Sequence, residues 1–147
     1  MKNQKLRITA IILAIIGLVT SLYLLWIKVS NNQALCLPGI GDCWSVNNSI
    51  YSEFLGIPVS IFGAGGYIAI LVVLMAETRY KLAKFYSQYA MFGLTLLGVI
   101  VSAILTYLEL AVIHAVCPFC VLSAIVMTLL FILTIVSLVK YQSDKNQ

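Results

Sequence analysis

Charge is what this sequence lacks. Asp, Glu, Lys and Arg make up 10% of its 147 residues, against 62% hydrophobic residues, and the mean hydropathy is +1.04. A soluble domain cannot hide that much apolar surface, so composition excludes that class and leaves an integral membrane protein. No Asp, Glu, Lys, Arg or His falls within four long stretches, about Ile8–Ile27, Ile57–Ala76, Tyr89–Leu108 and Val121–Val139. A bilayer core ~30 Å thick takes about 20 apolar residues of helix to cross, and each stretch is long enough. There is no internal repeat, no low-complexity tract and no flavin or haem motif. The expected fold is all-α: a four-transmembrane-helix bundle, a single membrane domain over 1–147, with a loop between the first two helices. The basic start (Met1-Lys2-Asn3-Gln4-Lys5-Leu6-Arg7) resembles that of a secretory leader. The apolar run behind it is too long for one, and no small-x-small cleavage site follows. It reads as the first spanning helix.

The few cations are unevenly placed. Lys2, Lys5 and Arg7 precede the first stretch; Arg79, Lys81 and Lys84 lie between the second and third; Lys140 and Lys145 follow the fourth. Lys28 alone falls on the other side. By the positive-inside rule both termini are expected in the cytoplasm of a multi-pass cell-membrane protein, facing lipid along its length. The loop after the first helix and the turn before the fourth then face outward, where disulfides form and persist. This topology accounts for the net charge of +4, which gives no argument for nucleic acid.

Against that background stand four cysteines, all on the outer side. Cys117-Pro118-Phe119-Cys120 opens the fourth stretch. Pro118 suits the first turn of a helix. Cys117 then lies at the N-cap, where unpaired amides and the helix dipole stabilise a thiolate. Cys120 follows on the same face. The bland alternative is a static disulfide or two inert thiols. Cys36 and Cys43 flank the turn Leu37-Pro38-Gly39-Ile40-Gly41-Asp42, close enough to bridge. Alone they would read as a loop staple; beside a second dithiol they read as a pair that collects electrons and hands them on through mixed disulfides. A zinc site of all four cysteines is disfavoured, since six- and two-residue spacings match no common ribbon.

Exchange alone does not regenerate an oxidant, so two electrons must leave the protein. With no flavin or haem motif, a lipid-soluble quinone is the economical acceptor. Ser49, Asn47 or Asn48 is placed to bond a quinone carbonyl if the loop folds over the bundle; ordinary turn chemistry is the alternative for each. The stretch Ile50-Tyr51-Ser52-Glu53-Phe54-Leu55-Gly56 is expected as a short interfacial helix, with Pro58 in the first turn of the second span. His114, three residues before Cys117, reads as a solvated turn residue, with taking a proton or stabilising a thiolate as the alternative. Glu109 reads as an exposed charge at the outer end of its helix. Gly63, Gly65, Gly66, Gly93 and Gly98 read as close helix-packing positions, and Tyr67, Tyr107, Trp26 and Trp44 as core or interface aromatics.

These residues carry a resemblance. Cys43-Trp44-Ser45-Val46-Asn47-Asn48-Ser49, continuing to Phe54-Leu55-Gly56-Ile57-Pro58 and to Phe62-Gly63 and Tyr67, with Cys117-Pro118-Phe119-Cys120-Val121-Leu122-Ser123 on the last helix, resembles the bacterial homologues of vitamin K epoxide reductase. The resemblance implies a four-helix enzyme that passes electrons from thioredoxin-like proteins to a quinone of the menaquinone, ubiquinone or vitamin K type. It implies that Cys36 exchanges with the partner and that Cys43 relays by attacking Cys117. Cys120 is then the thiol next to the quinone, and Ser49 the loop hydroxyl near the ring. Two features depart from the pattern. Trp44 follows Cys43 where an acidic residue is common, and no thioredoxin-like domain is fused, so the extracytoplasmic partner is expected in trans. The expectation is a quinone-dependent thiol-disulfide oxidoreductase. Its rivals are a thiol carrier passing reducing equivalents outward and a non-catalytic scaffold braced by disulfides.

Overall fold

A computed structural model describes residues 4–31, 42–79 and 83–145. Four helices dominate: α1 (Gln4–Ser30), α3 (Val59–Arg79), α4 (Ala83–Leu108) and α5 (Pro118–Lys145). All four are long and apolar enough to cross a membrane. They overrun the apolar stretches at their ends because polar residues at the interface continue the same backbone hydrogen-bond ladder. At 1.5 Å per residue α1 is about 40 Å long, more than a hydrocarbon core. The helices close a ring in which α1 packs on α3 and α5, and α4 on α3 and α5.

Along most of α1 burial is inverted in size. The inward residues there are Ala10, Ala14, Gly17, Thr20 and Ser21, joined by Leu24 and Ile27 at the loop end, while Ile8, Ile12, Ile16 and Val19 face outward. In lipid there is no gain in hiding large apolar side chains, so small residues take the interior and let helices approach. The closest approach is at Gly17, where an added Cβ would run into the ring of Tyr67 on α3. Tyr67 is fully buried, and its hydroxyl lies 3.0 Å from the Ser123 carbonyl and 2.9 Å from Ser123 Oγ on α5. One side chain thus pins three helices. Of the glycines expected at tight contacts, Gly63 meets Ser21 and Gly98 meets Met127, but Gly65, Gly66 and Gly93 have open space where a Cβ would go. Trp26 and Tyr107 are lipid-side aromatics, both 67% exposed.

Between α1 and α3 the described chain forms a short helix, α2 (Cys43–Asn47), a 3₁₀ turn (Ile50–Ser52) and a two-stranded hairpin, β1 (Glu53–Phe54) and β2 (Ile57–Pro58). Glu53 pairs with Pro58 and Phe54 with Ile57. The interfacial helix expected over Ile50–Gly56 is therefore a turn and a hairpin, and the helix of this loop lies earlier. Gly56 at φ 79° and Leu55 at φ 54° provide the two left-handed residues that a two-residue hairpin turn demands. Pro58 accordingly closes β2 just before α3, outside its first turn.

Gly17→Val is expected to lower the thermal stability of the detergent-solubilised protein by about 1–3 kcal/mol through overpacking against Tyr67. Gly65→Ala, meeting nothing, is expected to be neutral or slightly stabilising. Paired thermal unfolding curves check both.

Candidate active site at the loop end of the bundle

The site is assembled from the start of α5, the end of α4 and α2. Pro118 is the first residue of α5, as its missing N–H predicts, and the Cys117 carbonyl accepts the Val121 amide at 3.1 Å. Cys117 is fully buried, Cys120 is half-buried, and both are free thiols. The Cys120 thiol is hydrogen-bonded to the Cys117 sulfur, and this bond holds the Cys117 thiol below its ordinary range. Burial and the Glu109 carboxyl act in the opposite direction and are outweighed.

Cys43 reaches the dithiol through the backbone of its own loop. Asp42 caps α2, its carboxylate accepting the Ser45 amide at 3.0 Å and the Ser45 hydroxyl at 2.6 Å. Those two bonds depress the Asp42 carboxyl below the usual range. The Asp42 amide donates to the Val116 carbonyl at 3.0 Å, fastening the start of α2 to the residue before Cys117. Cys43 is 2% exposed and packs in one apolar cluster with Cys117, Leu24, Ile27 and Val46, with Cys120 and Phe119 at its edge. The Phe119 ring lies 5.1 Å from that of Tyr23 on α1. Cys43 is held in a disulfide while Cys117 and Cys120 are reduced. Cys36 and most of the turn before Cys43 lie outside the described residues.

The rest of the loop is clamped to the end of α1. The Lys28 ammonium donates to the Asn47 carbonyl (2.8 Å) and to Ser52 Oγ (2.6 Å), and pairs with Glu53 Oε1 at 3.1 Å. The Asn47 amide donates to the Leu24 carbonyl at 3.0 Å. The side chain of Asn47 is thereby committed to holding the loop. Ser49 Oγ donates to the Val46 carbonyl at 2.8 Å within its own turn. The cation read from sequence as a topological outlier is thus the strut of the loop. Pattern reasoning had no way to connect Lys28 to Glu53 across the intervening turn.

Glu109 overturns its expectation. It is 4% exposed, and its Oε2 accepts the Cys117 amide at 3.3 Å. His114, by contrast, is exposed. The sequence offered one signal for Glu109, an acid at the apolar end of a span, which is the default mark of function inside a membrane.

The model of the family described as "Vitamin K epoxide reductase family" matches residues 8–135, which include all four cysteines, Ser49 and Glu109. The chain belongs to the vitamin K epoxide reductase family. It is also similar to "Thiol-disulfide oxidoreductase LTO1" of Arabidopsis thaliana, 30% identical over 119 residues. The match covers 77% of this chain and 31% of that protein, so the chain spans about a third of the relative's length. Membership of a family named for a reductase, and a relative named for thiol–disulfide chemistry, support oxidoreductase chemistry in a multi-pass membrane protein.

Lys28→Met should free the loop of this family member without touching a cysteine. Losing hydrogen bonds from a charged group is expected to weaken loop closure by about 1.5–3 kcal/mol. Faster amide hydrogen exchange over 43–58, with 10–27 unchanged, is the measurement.

Proposed function

We propose that the protein is a membrane thiol:quinone oxidoreductase that reoxidises an extracytoplasmic thioredoxin-like partner. The observation that carries the reading is the burial of disulfide-bonded Cys43 against the free Cys117–Cys120 dithiol in one apolar cluster. A static scaffold has no use for a reduced pair packed against an oxidised one. A loop cysteine packed against a dithiol at a rigid helix start is what exchange through a mixed disulfide requires.

In this reading Cys36 attacks or is attacked by the partner, and Cys43 passes the electron pair to the Cys117–Cys120 disulfide. The Cys43 sulfur bonds to Cys117, and the Cys117–Cys120 bond breaks. Cys36 then closes on Cys43, leaving the helix pair reduced. A lowered Cys117 thiol makes it the better leaving group in that last step. Burial of Cys117 limits its reaction to the loop, whereas half-buried Cys120 is open to a second reactant.

The residues around Cys120 fit a flat, lipid-soluble oxidant. One reachable thiol lies beside Phe119 and Tyr23 at the edge of an apolar cluster, a lining whose chemistry suits an aromatic, lipid-soluble reactant. A quinone bound there would supply a sink for two electrons and two protons. Cys120, Phe119 and Tyr23 would border it. Ser49 would have to release the Val46 carbonyl before its hydroxyl donated to the ring. The outward placement of the thiols, opposite the basic ends, belongs to the same proposal.

Two tests follow. In Cys43→Ala, the partner is expected to be caught on Cys36 as a mixed disulfide, identifiable by mass spectrometry; capture of no protein would remove the relay. Cys120→Ala is expected to abolish quinone reduction by a dithiol partner, read as loss of quinone absorbance. Persistent reduction in that variant would return the dithiol to a structural role.

A further inference from the structure

Glu109 is an ionisable group, buried at the site, that the relay does not employ. Glu109 begins a π turn (Glu109–Ile113) that ends α4, and such turns are rare and concentrate at functional sites. Its carbonyl accepts both the His114 and the Ala115 amides, with His114 in the left-handed region at φ 55°. The backbone of Glu109 is therefore locked at both its carbonyl and its helix. Its carboxyl is turned inward, accepting the Cys117 amide at 3.3 Å, with the Cys120 thiol beside it. An acid buried beside a membrane is costly unless it is used or fully paired.

Oxidising a dithiol releases two protons, and the Cys120 thiol is half-buried at the edge of an apolar cluster. A bare thiolate there has little solvation, so its proton needs a local acceptor. We infer that the Glu109 carboxylate is that acceptor, taking the Cys120 proton as Cys117 and Cys120 close to a disulfide and returning it when the disulfide opens. This rests on the redox reading above and adds to it the route of one proton. In closure the Cys117–Cys120 bond forms and the electron pair leaves to an oxidant, either a quinone or another disulfide. The Cys120 proton goes to Glu109, and the Cys117 proton leaves with the reduced product.

Among the described residues the other ionisable groups at this end are otherwise placed, Tyr23 of α1 lying against the Phe119 ring. On α5 the facing groups are Cys117 and Cys120 themselves; on α2 it is Cys43, already in a disulfide. His114, on the same turn, is exposed with its Nδ1 at the Val112 carbonyl. Lys28 of α1 is bonded to Asn47, Ser52 and Glu53, and Asp42 to Ser45.

The test uses the full chain, reduced, in detergent and without quinone, carrying Cys36→Ser and Cys43→Ser so that only the helix pair reacts. An aromatic disulfide oxidises it in one turnover, one sulfur attacking the reagent and the other displacing the second coloured thiolate. Whichever reacts first, the Cys120 S–H bond must break. Glu109→Gln keeps an acceptor for the Cys117 amide but cannot take a proton. At about pH 6–7 it is expected to slow closure at least about tenfold. The deficit should shrink as pH rises and hydroxide replaces the carboxylate, and Glu109→Asp should lie nearer the parent. A purely structural role would slow closure equally at every pH. A carboxylate that only repelled thiolates would make Glu109→Gln faster. Either result, an unchanged rate, or an Asp variant no better than Gln overturns the inference. Because quinone is absent, failure of the parent protein to reduce quinone in a separate assay would overturn the quinone reading and leave this one standing.

Discussion

Away from water a polar group has only the protein to bond to, and the loop end of this bundle is organised by that constraint. The Asp42 amide finds the Val116 carbonyl, the Asn47 amide finds Leu24, and the Lys28 ammonium gathers Asn47, Ser52 and Glu53. Each bond satisfies a polar group where the loop meets the bundle, and together they fold the loop down onto the helix ends. Cys43 meets Cys117 as a consequence of that closure. The same constraint acts in mid-bundle, where the Tyr67 hydroxyl bridges to Ser123 and the ring fills the space left by Gly17.

This arrangement separates two demands that the proposed dithiol relay makes. One sulfur must be shielded, so that it reacts with the intended loop cysteine, and one must be reachable. Cys117 is fully buried under α2, and Cys120, one helical turn on, is half-buried at the rim. Three residues of helix give two thiols a common face but different depths. Glu109 joins them from a different helix, bonded to the amide of one and lying beside the thiol of the other.

Much of this was legible in the chain and some was not, for definite reasons. Apolar length gives the spans, because crossing lipid demands it whatever the neighbours. Pro118 marks the start of α5 because a residue without an N–H suits a first turn. Glu109 was misjudged as solvated because position along a helix does not reveal which way the end of that helix is wound. A π turn shifts the facing by a residue. The stretch Ile50–Gly56 mixes apolar and polar residues in a way that suits an interfacial helix equally well. Positive φ at Leu55 and Gly56 decides for a hairpin, and only Gly56 advertised it. Gly17 was overlooked and Gly65, Gly66 and Gly93 overrated, since a glycine's use depends on the side chain opposite.

The sequence by itself determined the membrane class, the four spans and the pairing of cysteines into two motifs, all of them properties of local composition and spacing. Tertiary structure decided which sulfur is shielded, which cation braces the loop and which acid faces the thiols. Those depend on groups as far apart as Lys28 and Glu53, or Glu109 and Cys117, whose meeting is fixed by helix packing and by the need of buried polar groups for partners.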